Sequence, residues 1–256
     1  MSAVVAKRQR ASATRPRRAP RALVLRAPGT NCDRETALAL ELAGARPERV
    51  QVDLLVRGER SLDDFALFVL PGGFSFGDHL GAGTLWAHAL ERLREPLERF
   101  VASGRPVLGI CNGFQALLKL GLLRGGALGP NASDRFECRW VCLERPTAVT
   151  SPLLDGIERL ALPVAHGEGR FVADSPETLA SLRERGNVAL VYSGQGYPAN
   201  PNGSDGEVAA LLNDGGNVLG LMPHPERNVL PGQAPAGRRD GAGLAIFRNA
   251  VALARG

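Results

Sequence analysis

The stretch RPVLGICNGFQ, residues 105–115, decides how the chain folds. Within it, Pro106–Ile110 is a short apolar run that predicts a buried strand, and Asn112–Leu120 has the pattern of a helix. The strand ends on Cys111 and the helix begins at the next residue. A strand that leads into a helix is the repeating unit of α/β proteins, so this stretch predicts a sheet with helices on its faces.

Gly109 and Gly113 flank Cys111 in a G-x-C-x-G arrangement, the thiol counterpart of the G-x-S-x-G nucleophile elbow. Small flanking residues permit the sharp turn that lifts a nucleophile above the sheet. The N–H groups at the start of the following helix favour the thiolate, which is the reactive form of cysteine. Taken alone, the motif also fits an inert cysteine buried at a tight turn.

Strand-like and helix-like segments alternate on both sides of this stretch, which predicts one α/β domain with a mostly parallel central sheet flanked by helices. Earlier in the chain, the predicted strands are Ala22–Arg26, Val50–Val56 and Phe65–Leu70. The other predicted helices are Asp33–Ala43, 84–103 and Gly241–Ala254. Residues 136–215 are richer in short strands and turns.

The formal net charge of +5 is concentrated at the N-terminus. Residues 1–21 carry seven of the 31 basic residues and none of the 26 acidic ones, so residues 22–256 are close to neutral. We expect 1–21 to be a disordered basic tail and 22–256 to be the folded domain. The alternatives for the tail are a weak polyanion-binding arm and an organellar transit segment, because it is rich in arginine and free of acidic residues. The near-neutral domain offers no basic docking face, so no nucleic-acid partner is predicted.

The four cysteines are too few and too scattered for a disulfide framework. With no stretch apolar enough to cross a bilayer and no secretory signal, we expect reduced thiols, no membrane partner and a cytoplasmic location. Cys138 and Cys142 would share one face of a strand as core thiols, since no second Cys/His pair follows at zinc-site spacing. No metal site is predicted.

A second run, LGLMPHPER at residues 219–227, ends another strand-like segment with a histidine and a glutamate. In an extended chain, His224 and Glu226 point the same way. Glu226 would then accept a proton from one imidazole nitrogen and leave the other nitrogen facing Cys111, as in a catalytic triad. By itself, a His-Pro-Glu sequence also fits a surface turn with an incidental ion pair.

A third run, FVLPGGFSFGD at residues 68–78, follows a strand and contains paired glycines. Acyl transfer to a thiolate needs N–H donors aimed at the developing oxyanion. The backbone N–H groups of Gly73 and of Asn112, the residue after the cysteine, form a natural pair of donors. The alternative is a flexible loop without a catalytic role. No phosphate-binding glycine motif occurs in the chain.

Together the three runs resemble the triad-type (class I) glutamine amidotransferase family. Longer motifs make the chain similar to one branch of that family, the glutaminase subunits of phosphoribosylformylglycinamidine synthase. The resemblance extends from about residue 22 to the C-terminus. It rests on PGTNCD at 28–33, PGGFSFGD at 71–78, GICNGFQ at 109–115, PVAHGEGRF at 163–171, NPNGS at 200–204 and GLMPHPER at 220–227.

This resemblance implies a role for each candidate site residue. Cys111 would be the nucleophile, His224 the base and Glu226 its orienter. The oxyanion hole would come from Gly73 and Asn112, and the amino-acid end of the substrate would be held by Gln115, His166 and Gly167. Two departures, Phe76 in place of the family's more frequent tyrosine and a short segment before Asn200, affect loop contacts and partner fit rather than the triad.

The resemblance also implies an activity and an assembly. The chain would hydrolyse glutamine to glutamate and ammonia without a cofactor of its own. The ammonia would pass to a large synthetase subunit, which uses ATP and Mg²⁺ to convert formylglycinamide ribonucleotide into its amidine in purine synthesis, with a small third subunit bridging the two. Two alternatives remain at this point: another cysteine amidohydrolase or peptidase of the same architecture, and a non-catalytic regulatory subunit.

Other conspicuous residues have structural explanations. His79 and His88 are predicted to be loop or helix-face residues rather than ligands. The sequence from Asn31 to Asp33 fits a turn and an N-cap at the start of a helix. Cys32 lacks the strand, elbow and helix context of Cys111, and no His-Glu pair is assigned to it.

Overall fold

The computed structural model describes residues 18–78 and 80–256. The predicted tail, apart from residues 18–21, and His79 lie outside the described residues. The strands are β1 (Arg21–Arg26), β2 (Arg46–Gln51), β3 (Leu67–Leu70), β4 (Val107–Ile110), β5 (Gly126–Pro130), β6 (Glu137–Glu144), β7 (Arg159–His166), β8 (Glu168–Ala173), β9 (Val188–Tyr192), β10 (Val208–Leu212) and β11 (Val218–Leu221). The α-helices are α1 (Asp33–Leu42), α2 (Val52–Val56), α3 (Thr84–Glu91), α4 (Arg94–Ala102), α5 (Asn112–Lys119), α6 (Pro176–Glu184) and α7 (Leu244–Leu253).

Nine strands form one sheet in the order β2-β1-β3-β4-β11-β10-β9-β6-β7, and β5 pairs with β8 in a second, two-stranded sheet. The neighbouring strands from β2 to β11 are all parallel, whereas those from β11 to β7 are antiparallel. The predicted α/β fold with parallel strands around Cys111 is therefore confirmed. Its antiparallel half is the region where the sequence indicated short strands and turns.

The middle of the sheet is apolar on both faces. Every residue of β3, β4 and β11 is buried, in continuous runs of apolar residues and glycine. Such runs are typical of parallel strands covered by helices on both sides. This packing fixes the carboxyl ends of β3, β4 and β11 side by side, which is where ligands bind in open α/β sheets.

Two predicted elements differ from the structure. The predicted strand Val50–Val56 is instead the end of β2 followed by α2, whose Val52 and Leu55 are buried at helical spacing. The predicted helix 84–103 is two helices, with a break at Arg92 and Leu93. Pro96 explains the break, because it has no N–H to donate to the carbonyl four residues earlier.

Cys138 and Cys142 share one face of β6, as predicted, but both are exposed rather than buried in the core. The apolar side chains of Val141 and Leu143 occupy the opposite, buried face of the strand. The alternation of β6 therefore orients the thiols outward, and the prediction of core thiols is wrong.

At the start of the described chain, Arg21 already belongs to β1, where it pairs with Arg46 and forms an ion pair with Glu48. One residue assigned to the tail thus belongs to the sheet. His88 lies in α3, as predicted. Among the helices of residues 18–78 and 80–256, none is long and apolar enough to span a membrane.

Candidate active site

Cys111 occupies the turn between β4 and α5, and its backbone has an unusual conformation. Its φ of 50° and ψ of −106° lie in a region that non-glycine residues rarely adopt. The surrounding chain holds it there, because its N–H donates to the Leu221 carbonyl and its carbonyl accepts from the N–H of Phe114. Backbone strain of this kind is concentrated at functional sites, and the sharp turn predicted between strand and helix at Cys111 is present.

Two glycines make room for the elbow. A Cβ atom on Gly113 would lie 2.0 Å from the carbonyl oxygen of Leu70, and one on Gly109 would lie 2.4 Å from Cδ1 of Leu117. Both distances are far below any normal Cβ contact, so a side chain at either position would displace its neighbour. The G-x-C-x-G spacing is therefore a packing requirement of this turn.

His224 reaches the same edge of the sheet from the neighbouring strand. β11 lies beside β4 in parallel register, with Gly220 opposite Gly109, so the chain leaving β11 arrives next to the elbow. The N–H of His224 donates to the Pro163 carbonyl at 2.8 Å, which fixes its backbone. The side chains of Cys111 and His224 line one cavity of about 280 Å³.

Glu226 orients the His224 ring. The distance from Nδ1 of His224 to Oε1 of Glu226 is 2.6 Å, and each residue is only 1% exposed. Nε2 of His224 is buried and has no hydrogen-bond partner among the residues that the structure describes. A histidine whose Nδ1 is held by a carboxylate has its other nitrogen available to exchange a proton with a nucleophile.

The electrostatic surroundings favour a protonated His224. Burial lowers the pKa of His224, but the Glu226 carboxylate and the sulfur atoms of Cys111 and Cys32 outweigh it, so the pKa is raised well above its ordinary value. A proton held on the imidazole next to a thiolate is the resting arrangement of cysteine nucleophiles paired with histidine.

Cys32 lies closer to the pair of His224 and Glu226 than the sequence indicated. Its Sγ atom is 4.0 Å from Nδ1 of His224, although the sequence assigns no His-Glu pair to Cys32. Cys32 faces the nitrogen already bound to Glu226, however, and its φ of −95° and ψ of 15° carry no such strain. The chemistry of a general base requires the free nitrogen, which favours Cys111 as the nucleophile.

The same three side chains offer possible metal ligands, since the ligand atoms of Cys32, His224 and Glu226 lie within 4.8 Å of one another. The guanidinium of Arg227 already donates to Sγ of Cys32 at 3.2 Å, which places a positive charge at this position. A metal ion would also have to break the bond between His224 and Glu226. The arrangement therefore suits a triad better than a metal centre.

The loop after β3, which contains the predicted oxyanion donor Gly73, lies beside the elbow. Gly73 forms a bridge with Thr30 and has a φ of 145°, and a Cβ atom there would lie 2.7 Å from the backbone nitrogen of Asn31. A Cβ atom on Gly72 would lie 2.7 Å from Cε1 of His224. Both glycines are thus required for the loop to lie this close to Asn31 and His224.

Asn112 connects this loop to the start of α5. Its Oδ1 accepts a hydrogen bond from the Ser75 N–H, and its Nδ2 donates to Oδ1 of Asp78 and to Oε1 of Gln115. Both polar atoms of the side chain are therefore engaged in hydrogen bonds with neighbouring residues.

Gln115 and His166 are held by backbone and amide groups. Nε2 of Gln115 donates to the Glu168 carbonyl at 2.7 Å, and Nδ1 of His166 lies 3.0 Å from Oδ1 of Asn131. Burial, followed by the charge on His224, lowers the pKa of His166 to about 3, so its ring is neutral. His166 is therefore not a second acid or base at neutral pH.

Six of the eight residues predicted for the site line the cavity itself, and two lie behind it. The cavity wall includes Gly73, Cys111, Gln115, His166, Gly167 and His224. Asn112 and Glu226 support this wall from behind. The sequence analysis missed three charged residues of the wall, Asp78, Glu168 and Arg227, although each belongs to a motif that it quoted.

Comparison with known proteins agrees with this geometry. A family model described as a CobB/CobQ-like glutamine amidotransferase domain matches residues 19–253. The chain is 45% identical over 242 residues to phosphoribosylformylglycinamidine synthase subunit PurQ of Treponema denticola, covering 82% of this chain and 89% of the relative. It is 43% identical over 252 residues to the subunit PurQ of Dehalococcoides mccartyi, covering 91% and 97%.

A solved structure is also similar. A chain in the structure of PurLQS from Thermotoga maritima has 38% sequence identity and a TM-score of 0.74, covering 90% of this chain and 97% of that one. These likenesses agree with the geometry of the site, in which the turn at Cys111 lies beside the pair of His224 and Glu226. The chain belongs to the CobB/CobQ-like glutamine amidotransferases and, within them, to the PurQ subunits of phosphoribosylformylglycinamidine synthase.

Proposed function

We propose that Cys111, His224 and Glu226 form the catalytic triad with which this PurQ-family glutaminase hydrolyses glutamine. The observation that carries the proposal is the strained Cys111 elbow beside a histidine whose Nδ1 lies 2.6 Å from a buried carboxylate. An inert buried cysteine would need neither the strained backbone nor the ordered imidazole.

In the first half-reaction, the Cys111 thiolate attacks the side-chain carboxamide carbon of glutamine. The electron pair of the C=O bond moves to oxygen, and the N–H groups of Gly73 and Asn112 stabilise the resulting oxyanion. The imidazolium of His224 transfers its proton to the amide nitrogen, the C–N bond breaks, and ammonia leaves. A glutamyl thioester remains on Cys111.

In the second half-reaction, neutral His224 removes a proton from water as the water oxygen attacks the thioester carbon. The C–S bond breaks, glutamate leaves, and the pair of Cys111 and His224 is restored. Glu226 keeps Nε2 of His224 facing the reaction in both steps. Gln115 and the backbone of His166 and Gly167 hold the amino-acid end of glutamine.

We further propose that the ammonia passes to a PurL-type synthetase subunit and that a PurS-type small subunit completes the assembly. The likeness to a chain in the PurLQS structure supports these partners. ATP and Mg²⁺ would then act on the synthetase subunit, in the conversion of formylglycinamide ribonucleotide to its amidine. The need for a reduced Cys111 thiol supports a cytoplasmic location.

The test of the triad is ammonia release from glutamine by the full chain assembled with its synthetase partners. Cys111→Ala should abolish it, because no other group forms the thioester. Cys142→Ala is a matched control, since this cysteine is exposed on β6. Retained turnover in Cys111→Ala would refute the assignment, and its loss in both variants would indicate a folding effect.

A further inference from the structure

The segment NPNGS, residues 200–204, contains none of the groups that act in the proposed reaction. Asn202 is 0% exposed, and it is not among the residues that line the cavity of Cys111. The part of the cavity wall nearest to it along the hydrogen bonds described below is the turn 166–168, between β7 and β8. A buried amide behind such a wall can hold it in place without touching what binds there.

The side-chain amide of Asn202 makes four hydrogen bonds. Its Nδ2 donates to the Gly169 carbonyl at 2.7 Å and to the Tyr192 hydroxyl at 3.0 Å. Its Oδ1 accepts from the N–H of Ser204 at 3.1 Å and from the Ser204 hydroxyl at 2.7 Å. An amide has two N–H donors and an oxygen with two lone pairs, so the four bonds use its full capacity and fix its position.

Gly169 connects this amide to the cavity wall. It follows Glu168 in β8, and a Cβ atom on it would lie 2.5 Å from Nδ1 of His166. The backbone of Gly169 therefore packs directly on the imidazole ring, and a shift of its carbonyl would move both Glu168 and that ring. Because Asn202 holds the carbonyl, it also holds these two parts of the wall.

Asn202 supports the same turn from its other side. The N–H of Ala132 donates to the Asn202 carbonyl at 3.0 Å. The preceding residue, Asn131, binds the turn directly, since its N–H donates to the Gly167 carbonyl at 2.9 Å and its Nδ2 donates to the His166 carbonyl at 2.8 Å. The turn is thus connected to Asn202 through β8 on one side and through Asn131 on the other.

We propose that Asn202 is a positioning residue for the reaction, which sets the place of the turn 166–168 and so the fit of glutamine in the cavity. It acts through Gly169 and Asn131 rather than by touching the substrate. The inference rests on the proposed function, in which this turn holds the amino-acid end of glutamine while Cys111 attacks the amide. A misplacement of about 1 Å, caused far from the reacting atoms, can cost about a hundredfold in rate.

The test is Asn202→Ala in the full chain assembled with its synthetase partners, since alanine removes the four hydrogen bonds without adding charge or bulk. Asn187→Ala is the matched control. Asn187 is also buried, its Nδ2 donates to the Leu212 carbonyl at 3.1 Å, and it is not among the residues that line the cavity of Cys111. The measurements are KM and kcat for ammonia release, the Tm, and the rate at which iodoacetamide labels Cys111.

We expect Asn202→Ala to raise the KM for glutamine by about tenfold or more and to leave kcat within about threefold of the wild type, because the turn binds the ground state and the transition state alike. Labelling by iodoacetamide should stay within about twofold, since this reagent has no amino-acid end. Asn187→Ala should lower the Tm without changing KM, because the Leu212 carbonyl loses a buried donor.

Two kinds of result would overturn the inference. An unchanged KM in Asn202→Ala, or an equal rise in Asn187→Ala, would show that Asn202 has only a structural role. A fall in kcat or in labelling larger than the rise in KM would show that Asn202 acts on the elbow instead. Absence of glutamine hydrolysis in the wild-type assembly would contradict the proposed function rather than this inference.

A second variant decides if Asn202→Ala does not fold, as judged by near-UV circular dichroism. The hydroxyl of Ser204 donates to Oδ1 of Asn202 and accepts from the N–H of Phe171 in β8 at 3.0 Å. Ser204→Ala therefore loosens the same connection from the other side of the amide. It should raise KM in the same direction and leave kcat and labelling unchanged, and an unchanged KM would again overturn the inference.

Discussion

At the scale of single residues, the proposed triad assigns proton transfer and orientation to two different groups. Nε2 of His224 has no hydrogen-bond partner in the described part of the chain, whereas Nδ1 is bound to a carboxylate that is itself buried. Burying a carboxylate without a cationic partner costs free energy. The Glu226 carboxylate and a protonated His224 ring therefore stabilise each other, and the pKa of His224 is raised. The triad is thus coupled electrostatically as well as geometrically.

Glu226→Gln should therefore reduce turnover less than His224→Ala. The amide can still accept a hydrogen bond from Nδ1, whereas removal of the imidazole eliminates proton transfer, which is worth about 10²–10⁴-fold. Steady-state ammonia release, with folding checked by near-UV circular dichroism, measures the order. If the glutamine variant were the less active of the two, the roles assigned to His224 and Glu226 would be wrong.

Glu226→Gln should also change the pH dependence of kcat/KM, and the direction of the change can be predicted. The Glu226 carboxylate raises the pKa of His224, so its loss should lower that pKa. The imidazolium is then lost at a lower pH, and the alkaline limit of kcat/KM should move to lower pH in Glu226→Gln. An unchanged alkaline limit would show that another group controls it.

At the scale of elements, the elbow depends on how closely α5 approaches β3. Gly113→Ala normally favours a helix by about 1 kcal/mol. Here the added methyl group would meet the Leu70 carbonyl at 2.0 Å, so the substitution should lower the Tm by several degrees and reduce Cys111 labelling. Gly129→Ala in β5 is the control, since nothing lies within 4 Å of its Cβ position. An unchanged Tm in Gly113→Ala would contradict this packing account.

The elements that the sequence predicted best are those with a strong local signal. The run from Pro106 to Ile110 and the glycines around Cys111 determine a buried strand and an elbow almost alone. Two predicted elements are wrong where local signals conflict. The apolar stretch after Val50 suits a strand as well as a helix, and the apolar pattern of 84–103 suits one helix although Pro96 cannot donate to the carbonyl four residues earlier. Helical spacing at Val52 and Leu55 would have resolved the first case.

At the scale of the whole molecule, the site exists because distant parts of the chain meet at one edge of the sheet. Local patterns identify Cys111, His224 and Glu226 as candidates, but only the pairing of β4 with β11 brings them together. The approach of Cys32 to His224, and of Glu168 to Asp78, depends on tertiary packing for which no local pattern exists. The sequence alone therefore could not predict these contacts.

The N-terminal boundary of the domain, at the start of β1, can be tested by truncation. Removal of residues 1–17 should leave the Tm and the glutaminase activity unchanged, because their basic, acid-free composition cannot bury an apolar face. Removal of residues 1–21 should lower the Tm, since Arg21 pairs in β1, binds Glu48 and accepts from the Ala66 N–H. Thermal unfolding of the two truncations distinguishes them, and a fall in Tm in the shorter one would show that the tail docks.

If Cys111 is the nucleophile, it forms a covalent bond with the glutamyl group during turnover. The most direct measurement is acid quenching of the full chain during turnover of glutamine, followed by peptide mass spectrometry. We predict a glutamyl thioester on the peptide that contains Cys111 and none on the peptide that contains Cys32. A glutamyl adduct on Cys32, or continued turnover in Cys111→Ala, would contradict it.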